Sequence, residues 1–140
     1  MASRRPPREG VCGAPSAPTA LRQVPALHRA VPWRRGAVNL DLGGGPYDLA
    51  TEHLARHGVT NVVVDPGWQS PAELARAMRR VTDGRVSTVT LANTLNVIRD
   101  AEARGRALQL AANALGPGGV LYVSVHEGDG TSRGRSTSRG

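Results

Sequence analysis

The sequence predicts an α/β domain with a Rossmann-like, mostly parallel sheet and flanking helices. Strand-like and helix-like segments alternate along the chain, which is typical of β-α-β units. The strand-like segments are largely continuous apolar runs, as in sheets that are covered on both faces. The 140 residues include two Trp, two Tyr and no Phe, so the core must come from Val, Leu, Ile and Ala.

The first half of this pattern is strand, helix, strand. Residues 37–42 form the first predicted strand, which ends at three consecutive glycines. Residues 47–57 are predicted as a helix closed by Gly58, because glycine favours the position after a helix C-terminus. Residues 61–65 form a second strand that stops at Asp65.

The second half continues the alternation. Ser70 is predicted to cap a helix, with Pro71 in the first helical position and Glu73 reaching back to the cap. Helical spacing and its stop signals define the next helix, and apolar runs define the strands on either side of it. These elements are a third strand, a third helix and a fourth strand, over residues 86–91, 101–115 and 120–125.

Segments of biased composition flank the domain. Residues 1–36 hold most of the prolines and no periodic apolar pattern, so we predict a disordered leader, whose last piece can fold back onto the domain. Residues 37–130 are the predicted domain. Residues 131–140 are of low complexity and are predicted to be a disordered tail.

The composition also bears on compartment and metal content. Cys12 is the only cysteine, which excludes a disulfide framework and a cysteine-based metal site. No apolar run has the length of a membrane span, and no apolar signal segment follows the first arginines. We therefore expect a soluble, cytoplasmic protein with no membrane association and no metal.

The net charge of +7 is unevenly distributed. Residues 1–36 carry +6 and residues 131–140 carry +3, whereas residues 37–130 carry −2. A folded domain that recognises DNA or RNA usually carries a basic stripe of its own, and we expect none here. Specific nucleic-acid binding is therefore disfavoured, and weak polyanion binding through the basic tails remains an alternative.

Residues 41–45, Asp-Leu-Gly-Gly-Gly, combine a strand end, an acid and a glycine-rich turn. Such a turn lets the backbone approach a ligand closely, because glycine has no Cβ and tolerates positive φ. A phosphate-binding P-loop would need a lysine, and the chain has none. A dinucleotide loop counted from Gly43 would place Asp48 at its third glycine, where a pyrophosphate would meet a carboxylate.

The pattern Asp41-x-Gly43-x-Gly45 resembles the first motif of class I S-adenosylmethionine (SAM) dependent methyltransferases. Asp65, 24 residues after Asp41, is similar to the family's second acid. Residues 90–98 and 107–121, with their Leu-Gly-Pro-Gly-Gly turn, resemble the family's fourth strand, following helix and fifth strand. The resemblance is greatest to small-molecule enzymes of the quinone-biosynthesis type and covers about residues 37–127.

This resemblance implies SAM as the cofactor and a small molecule, unidentified by the sequence, as the methyl acceptor. Carboxylates and backbone dipoles suit a cationic sulfonium with a polar ribose better than arginine clamps would. In the family the second acid hydrogen-bonds both ribose hydroxyls. No catalytic residue is assigned, and the implied cofactor contacts are Asp41, Leu42, Gly43, Gly44, Gly45, Asp65, Pro66 and Asn93.

The chain departs from the family pattern at two places. Too few residues precede the strand at 86–91 to hold the family's third strand and its adenine-contacting acid. The antiparallel sixth and seventh strands are also missing, which would expose one sheet edge. Residues 127–130, Glu-Gly-Asp-Gly, can mark a truncation. A truncated or non-catalytic methyltransferase-like module, or a glycine turn that binds nothing, therefore remains an alternative.

Several other residues have both a functional and a structural interpretation. His53 and His57 have a metal-ligand spacing but no third ligand, so a helix surface is the better interpretation. His126 can be a general base or a polar residue at a strand end. Asn93 can lie near the transferred methyl group or cap a short helix. Trp33 can cover the cofactor pocket or pack the leader down.

Overall fold

A computed structural model describes residues 23–82 and 84–126. Helices and strands alternate through these residues, as predicted. None of the described helices combines the length and apolar character needed to cross a bilayer. The elements are α1 (Ala26–Ala30), β1 (Val38–Leu42), α2 (Leu49–Arg56), β2 (Thr60–Val64), α3 (Pro71–Val81), β3 (Val86–Ala92), α4 (Ala101–Ala114) and β4 (Leu115–Ser124).

The four described strands form one parallel sheet in the order β2-β1-β3-β4. The predicted α/β fold with a parallel sheet and flanking helices is therefore confirmed. The strand order is compatible with a Rossmann-like arrangement. The register between β3 and β4 is interrupted, because Val86 pairs with Leu115 and Thr88 pairs with Val120.

Local sequence signals account for the helix ends. Ser70 and Glu73 form the predicted capping box, with Ser70 Oγ accepting from Glu73 N at 3.1 Å and Glu73 Oε2 accepting from Ser70 N at 2.7 Å. Asp100 caps α4 by accepting from two backbone N–H groups. Gly58 follows α2 with a φ of 71°, the left-handed conformation for which glycine is suited.

The starts of two elements differ from their predictions by two residues or more, and the other boundaries agree within one residue. α2 begins at Leu49, two residues later than expected, with Asp48 at its N-cap. β4 begins at Leu115 rather than at residue 120, because Leu115 already pairs with β3 before the chain bulges through the Gly-Pro-Gly-Gly segment.

Residues 23–36 of the predicted leader pack against the domain. They include α1, in which the side chain of His28 is 1 % exposed, and the buried Val31. A helix of five residues is too short to show apolar periodicity, and its most buried side chain is a histidine. The sequence of this segment therefore resembles that of a flexible one. Residues 1–22 and 127–140, which cover the rest of the leader, the tail and the Gly-Asp-Gly segment, lie outside the described residues.

The two faces of the sheet differ in chemistry. One face is apolar and packs against α3 and α4, with Leu40, Val62, Val89 and Leu91 in its core. The other face carries polar side chains at alternate positions and contacts α1 and α2. These side chains are Asn39, Asp41, Asn61, Thr88 and Thr90.

The two edge strands are covered to different extents. Asn61, Val62 and Val64 of β2 are buried. In β4, Val120 and Val123 are 44 % and 42 % exposed. Among the described residues β4 pairs only with β3, so its outer edge has no strand beside it.

Candidate functional site

The strand order reverses its direction beside β1. The chain passes from β1 to β2 on one side and then crosses to β3 on the other. In open parallel sheets the carboxyl ends of the strands at such a point form a crevice that holds ligands. The glycine turn, residues 43–45, follows β1 there, and Asn93 and Thr94 follow β3.

The first two residues of the glycine turn are glycines because of the protein's own packing. A Cβ added at Gly43, whose φ is 72°, would lie 2.6 Å from Cγ2 of Thr94. A Cβ added at Gly44 would lie 2.8 Å from Oδ2 of Asp41. Both distances are far below van der Waals contact, so side chains at these positions would displace the turn.

Gly45 has a different environment. Its φ is also 72°, but no atom lies within 4 Å of the position that a Cβ would occupy. Its backbone N–H donates to Oδ2 of Asp65 at 2.8 Å. The turn therefore presents bare backbone to open space next to a carboxylate.

Both carboxylate oxygens of Asp65 accept backbone N–H groups, and its own N–H donates to the side chain of Gln69. Its Oδ1 accepts from Gly67 N at 2.9 Å, while Gln69 Oε1 accepts from Asp65 N at 2.8 Å. Burial raises the pKa of the Asp65 carboxyl above 3.8, an effect that the hydrogen bonds from Gly45 and Gly67 oppose and that Asp41 reinforces. Each carboxylate oxygen accepts one backbone N–H and keeps capacity for a further donor.

Asp41, the other acid of the expected site, faces away from open space. It is 1 % exposed, and its carboxylate accepts from Thr90 Oγ1 at 3.1 Å and from Asn61 Nδ2 at 3.3 Å. Nε2 of His28 lies 3.2 Å from Oδ2 of Asp41. Asp41 thus contacts the glycine turn from beneath, close to Gly44, and Asp65 is the acid at the open side.

Asp41 belongs to a buried hydrogen-bonded network, which we call the polar layer. Asn39 Nδ2 donates to Asn61 Oδ1 at 2.8 Å and to Thr90 Oγ1 at 2.9 Å. The layer joins the sheet to α1 and α2. Its members are His28, Asn39, Asp41, Thr51, Asn61, Thr88 and Thr90.

Sequence reasoning missed most of the polar layer, although a signal was present. In β1 the polar Asn39 and Asp41 alternate with Leu40 and Leu42, a period-2 pattern in a strand expected to be apolar on both sides. Among the described buried side-chain atoms, Nδ1 of His28 has no hydrogen-bond partner. An unsatisfied buried polar atom typically costs about 1–3 kcal/mol.

The remaining predicted cofactor residues are placed differently. Leu42 is buried, and its carbonyl oxygen accepts from Thr94 Oγ1 at 2.9 Å. Pro66 is exposed beside Asp65. Asn93 is exposed with a φ of 55°, and its N–H donates to Ser124 O at 2.9 Å. No described helix begins between Asn93 and Ala101, so the helix-cap interpretation of Asn93 is wrong.

Neither the described histidines nor Trp33 lies in an arrangement that indicates metal binding or catalysis. The rings of His53 and His57 lie with centroids 4.7 Å apart, and burial together with His57 lowers the pKa of His53 below 6.5. Residues 23–82 and 84–126 contain no cluster of three potential His, Cys, Asp or Glu metal ligands. His126 is exposed beyond β4. Trp33 stacks on His28 and donates to its carbonyl oxygen at 2.7 Å, so it packs α1 down.

Comparisons with protein-family models, curated proteins and solved structures give no match to this chain.

Proposed function

We propose that this domain binds SAM at the carboxyl ends of β1 and β2 and transfers the cofactor's methyl group to a small-molecule acceptor. The juxtaposition of Gly45 and Asp65 is the observation that supports the proposal best. The backbone of Gly45 borders open space and donates a hydrogen bond to the partly buried carboxylate of Asp65. In this interpretation the domain is a class I methyltransferase core.

The residues present fit the polar half of such a ligand. A ribose offers two hydroxyl donors, and the Asp65 carboxylate has acceptor capacity beyond its bonds to Gly45 and Gly67. The cofactor would lie over Gly45, where a side chain would occupy its space. The chain has no lysine, so the turn cannot act as a P-loop.

The chain's own contribution to the reaction is positioning. When bound, SAM supplies an electrophilic methyl group on a positively charged sulfur. Asp65 would fix the nucleoside, and the polar layer would hold the glycine turn in shape through Asp41. Orientation alone can supply a large part of the acceleration of a displacement, so few acid or base residues are required.

Calorimetric titration of the full chain with SAM and with S-adenosylhomocysteine tests the proposal. We expect Asp65→Asn to weaken binding by about 10- to 150-fold, the range for one lost hydrogen bond to a charged group. Circular dichroism should show that the variant stays folded. If folded wild-type protein binds neither compound, the cofactor assignment is wrong; binding without methyl transfer would instead identify a non-catalytic module.

Gly45→Ala provides a second test with a matched control. Gly118 also has a positive φ, 75°, and no atom within 4 Å of an added Cβ, but it lies in the bulged segment of β4 before Val120, at the opposite end of the sheet. Both substitutions carry a similar backbone strain. Gly45→Ala should abolish measurable SAM binding and Gly118→Ala should preserve it. Equal effects would show that Gly45 does not face the ligand.

A further inference from the structure

The described acidic residues and a set of exposed arginines lie at different ends of the sheet. The described acidic residues lie towards the carboxyl end, near strand ends or in the first turns of helices: Asp41, Asp48, Glu52, Asp65, Glu73, Asp100 and Glu102. Six of the eleven described arginines lie exposed at the opposite, amino end, whereas Arg99, Arg104 and Arg106 lie at the carboxyl end, before and within the first half of α4. The set at the amino end, which we call the arginine face, consists of Arg34, Arg35, Arg56, Arg79, Arg80 and Arg85.

Backbone contacts bring the segments of the arginine face together. Gly36 N donates to Gly58 O at 2.8 Å, which joins the entry of β1 to the end of α2. The side chain of Arg35 lies over Gly58, with Cγ 2.8 Å from the position of an added Cβ. Residues 79 and 80 lie in the last turn of α3, and residue 85 immediately precedes β3. The arginines therefore share one end of the domain although they come from separate segments.

Helix dipoles explain only part of this arrangement. Arginines in the last turn of a helix favourably meet its partial negative charge, which accounts for Arg56, Arg79 and Arg80. Arg34, Arg35 and Arg85 precede strands, where no helix C-terminus requires them. Their placement leaves a surplus of positive charge at this end.

The guanidinium groups of the arginine face are available to a partner. Among residues 23–82 and 84–126 the ion pairs are His28 with Asp41, and Arg106 with Asp100 and Glu102, none of which involves this face. Asp83, between α3 and β3 in the sequence, lies outside the described residues. Binding an anion here would break no ion pair within the described chain.

We propose that the arginine face binds the phosphate backbone of duplex nucleic acid without sequence preference. Guanidinium forks match phosphate oxygens, and exposed charges spread over several segments suit a polymer rather than a single buried anion. The described Trp and Tyr side chains are all partly buried, so none is fully exposed as a stacking platform for single-stranded bases. The exposed large apolar residues, which a membrane or protein partner would engage, lie instead at Val97, Leu108, Val120, Val123 and Val125.

This binding surface is separate from the proposed cofactor site. A five-residue strand such as β1 is about 16 Å long, and the glycine turn lies at its other end. Nucleic acid on the arginine face would therefore be a docking partner rather than the methyl acceptor. The inference is independent of the proposed function.

Fluorescence anisotropy of the full chain with a labelled duplex of about 20 base pairs tests this inference over a range of salt concentrations. The triple variant Arg79→Gln, Arg80→Gln, Arg85→Gln should reduce the slope of log K against log salt by about 3, because each phosphate contact contributes about 0.9. The control triple variant at Arg99, Arg104 and Arg106 removes equal charge at the other end, and its slope should change by less than about 1. Circular dichroism should show both variants folded.

Four results would overturn the proposal. The wild-type chain could fail to bind the duplex at low salt. Both triple variants could keep the wild-type slope, which would assign binding to the basic tails, or lower it equally, which would show a response to net charge alone. Binding to phosphatidylserine vesicles without binding to the duplex would identify a membrane surface instead.

Discussion

Replacement of His28 by phenylalanine is expected to destabilise the fold by a predictable amount. The ring of His28 is 1 % exposed, and its Nε2 lies 3.2 Å from Oδ2 of Asp41 and 3.3 Å from Oγ1 of Thr90. Phenylalanine keeps the ring volume but removes this polar contact with a buried carboxylate. A hydrogen bond to a charged group contributes about 1.5–3 kcal/mol.

The loss should appear as a reduced free energy of unfolding in urea and as a fall in Tm of about 6–24 °C, since 1 kcal/mol corresponds to about 4–8 °C in a domain of this size. Trp33 gives a local signal, because its ring stacks on His28 with centroids 6.3 Å apart. In a Trp68→Phe background, in which Trp33 is the only tryptophan of the chain, fluorescence reports whether α1 stays docked. Circular dichroism follows global unfolding in the same samples.

Two further variants make the His28 prediction specific. His28→Gln can place an amide nitrogen near the position of Nε2 and should lie within about 1 kcal/mol of wild type. His57→Phe changes an exposed histidine and should alter stability by less than about 0.5 kcal/mol. The polar layer would lose its assigned role if His28→Phe matched His57→Phe while Trp33 kept its native emission.

Four other predictions concern the site and the core. Burial raises the pKa of Asp65 above 3.8, so ionisation of this carboxyl destabilises the fold as pH rises through that pKa. The stability of Asp65→Asn relative to wild type should therefore increase with rising pH. Thermal melts of the two proteins whose difference does not change with pH would contradict this. Proposed SAM binding should correspondingly weaken as pH falls through the raised pKa, as calorimetry at several pH values would show. Gly43→Ala should cost about 2 kcal/mol or more in urea unfolding, and a double-mutant cycle with Thr94→Ala should recover part of it, because the new Cβ would lie 2.6 Å from the threonine methyl. Leu54→Ala, at a fully buried site, should cost about 2–5 kcal/mol, and Ser70→Ala about 1 kcal/mol through the lost cap; urea titrations giving equal values for the two would contradict this ranking.

Sequence reasoning predicted the elements that are governed by local chemistry. The box of Ser70, Pro71 and Glu73 fixes the start of α3, and Gly58 closes α2 in a left-handed conformation. Apolar runs identified the strands because both sheet faces are covered by helices. The start of β4 at Leu115 depends on pairing with Val86, a contact distant in sequence that no local signal reports.

The candidate site was predictable in its position but not in the orientation of its acids. Strand ends and glycines placed Asp41 and Asp65 at the same end of the sheet. Side chains alternate between faces along a strand, and Asp41, within β1, points into the layer beneath α1. Asp65 follows the end of β2 and turns towards Gly45. The orientation of Asp41 depends on His28, a residue that composition had assigned to a disordered leader.

The net charge of a segment conceals the spatial separation of its charges. Residues 37–130 sum to −2, yet their acids lie at helix starts and several arginines lie at helix ends. Arg34 and Arg35 add to the same end, although they fall within the predicted leader. The sum of charges over a segment does not describe an α/β domain whose two ends differ in sign.

The hydrogen bonds among Asn39, Asn61 and Thr90 also specify how the strands align. Shifting β1 by one residue would turn Leu40 towards these amides and hydroxyls and leave Asn39 against the aliphatic core. Each misaligned pairing would thus leave several buried donors and acceptors without hydrogen-bond partners. Misaligned contacts between interchangeable Val and Leu side chains would not carry this energetic cost. The polar layer therefore disfavours shifted strand registers. A completely aliphatic parallel sheet lacks such a layer, and its register must be set by its loops.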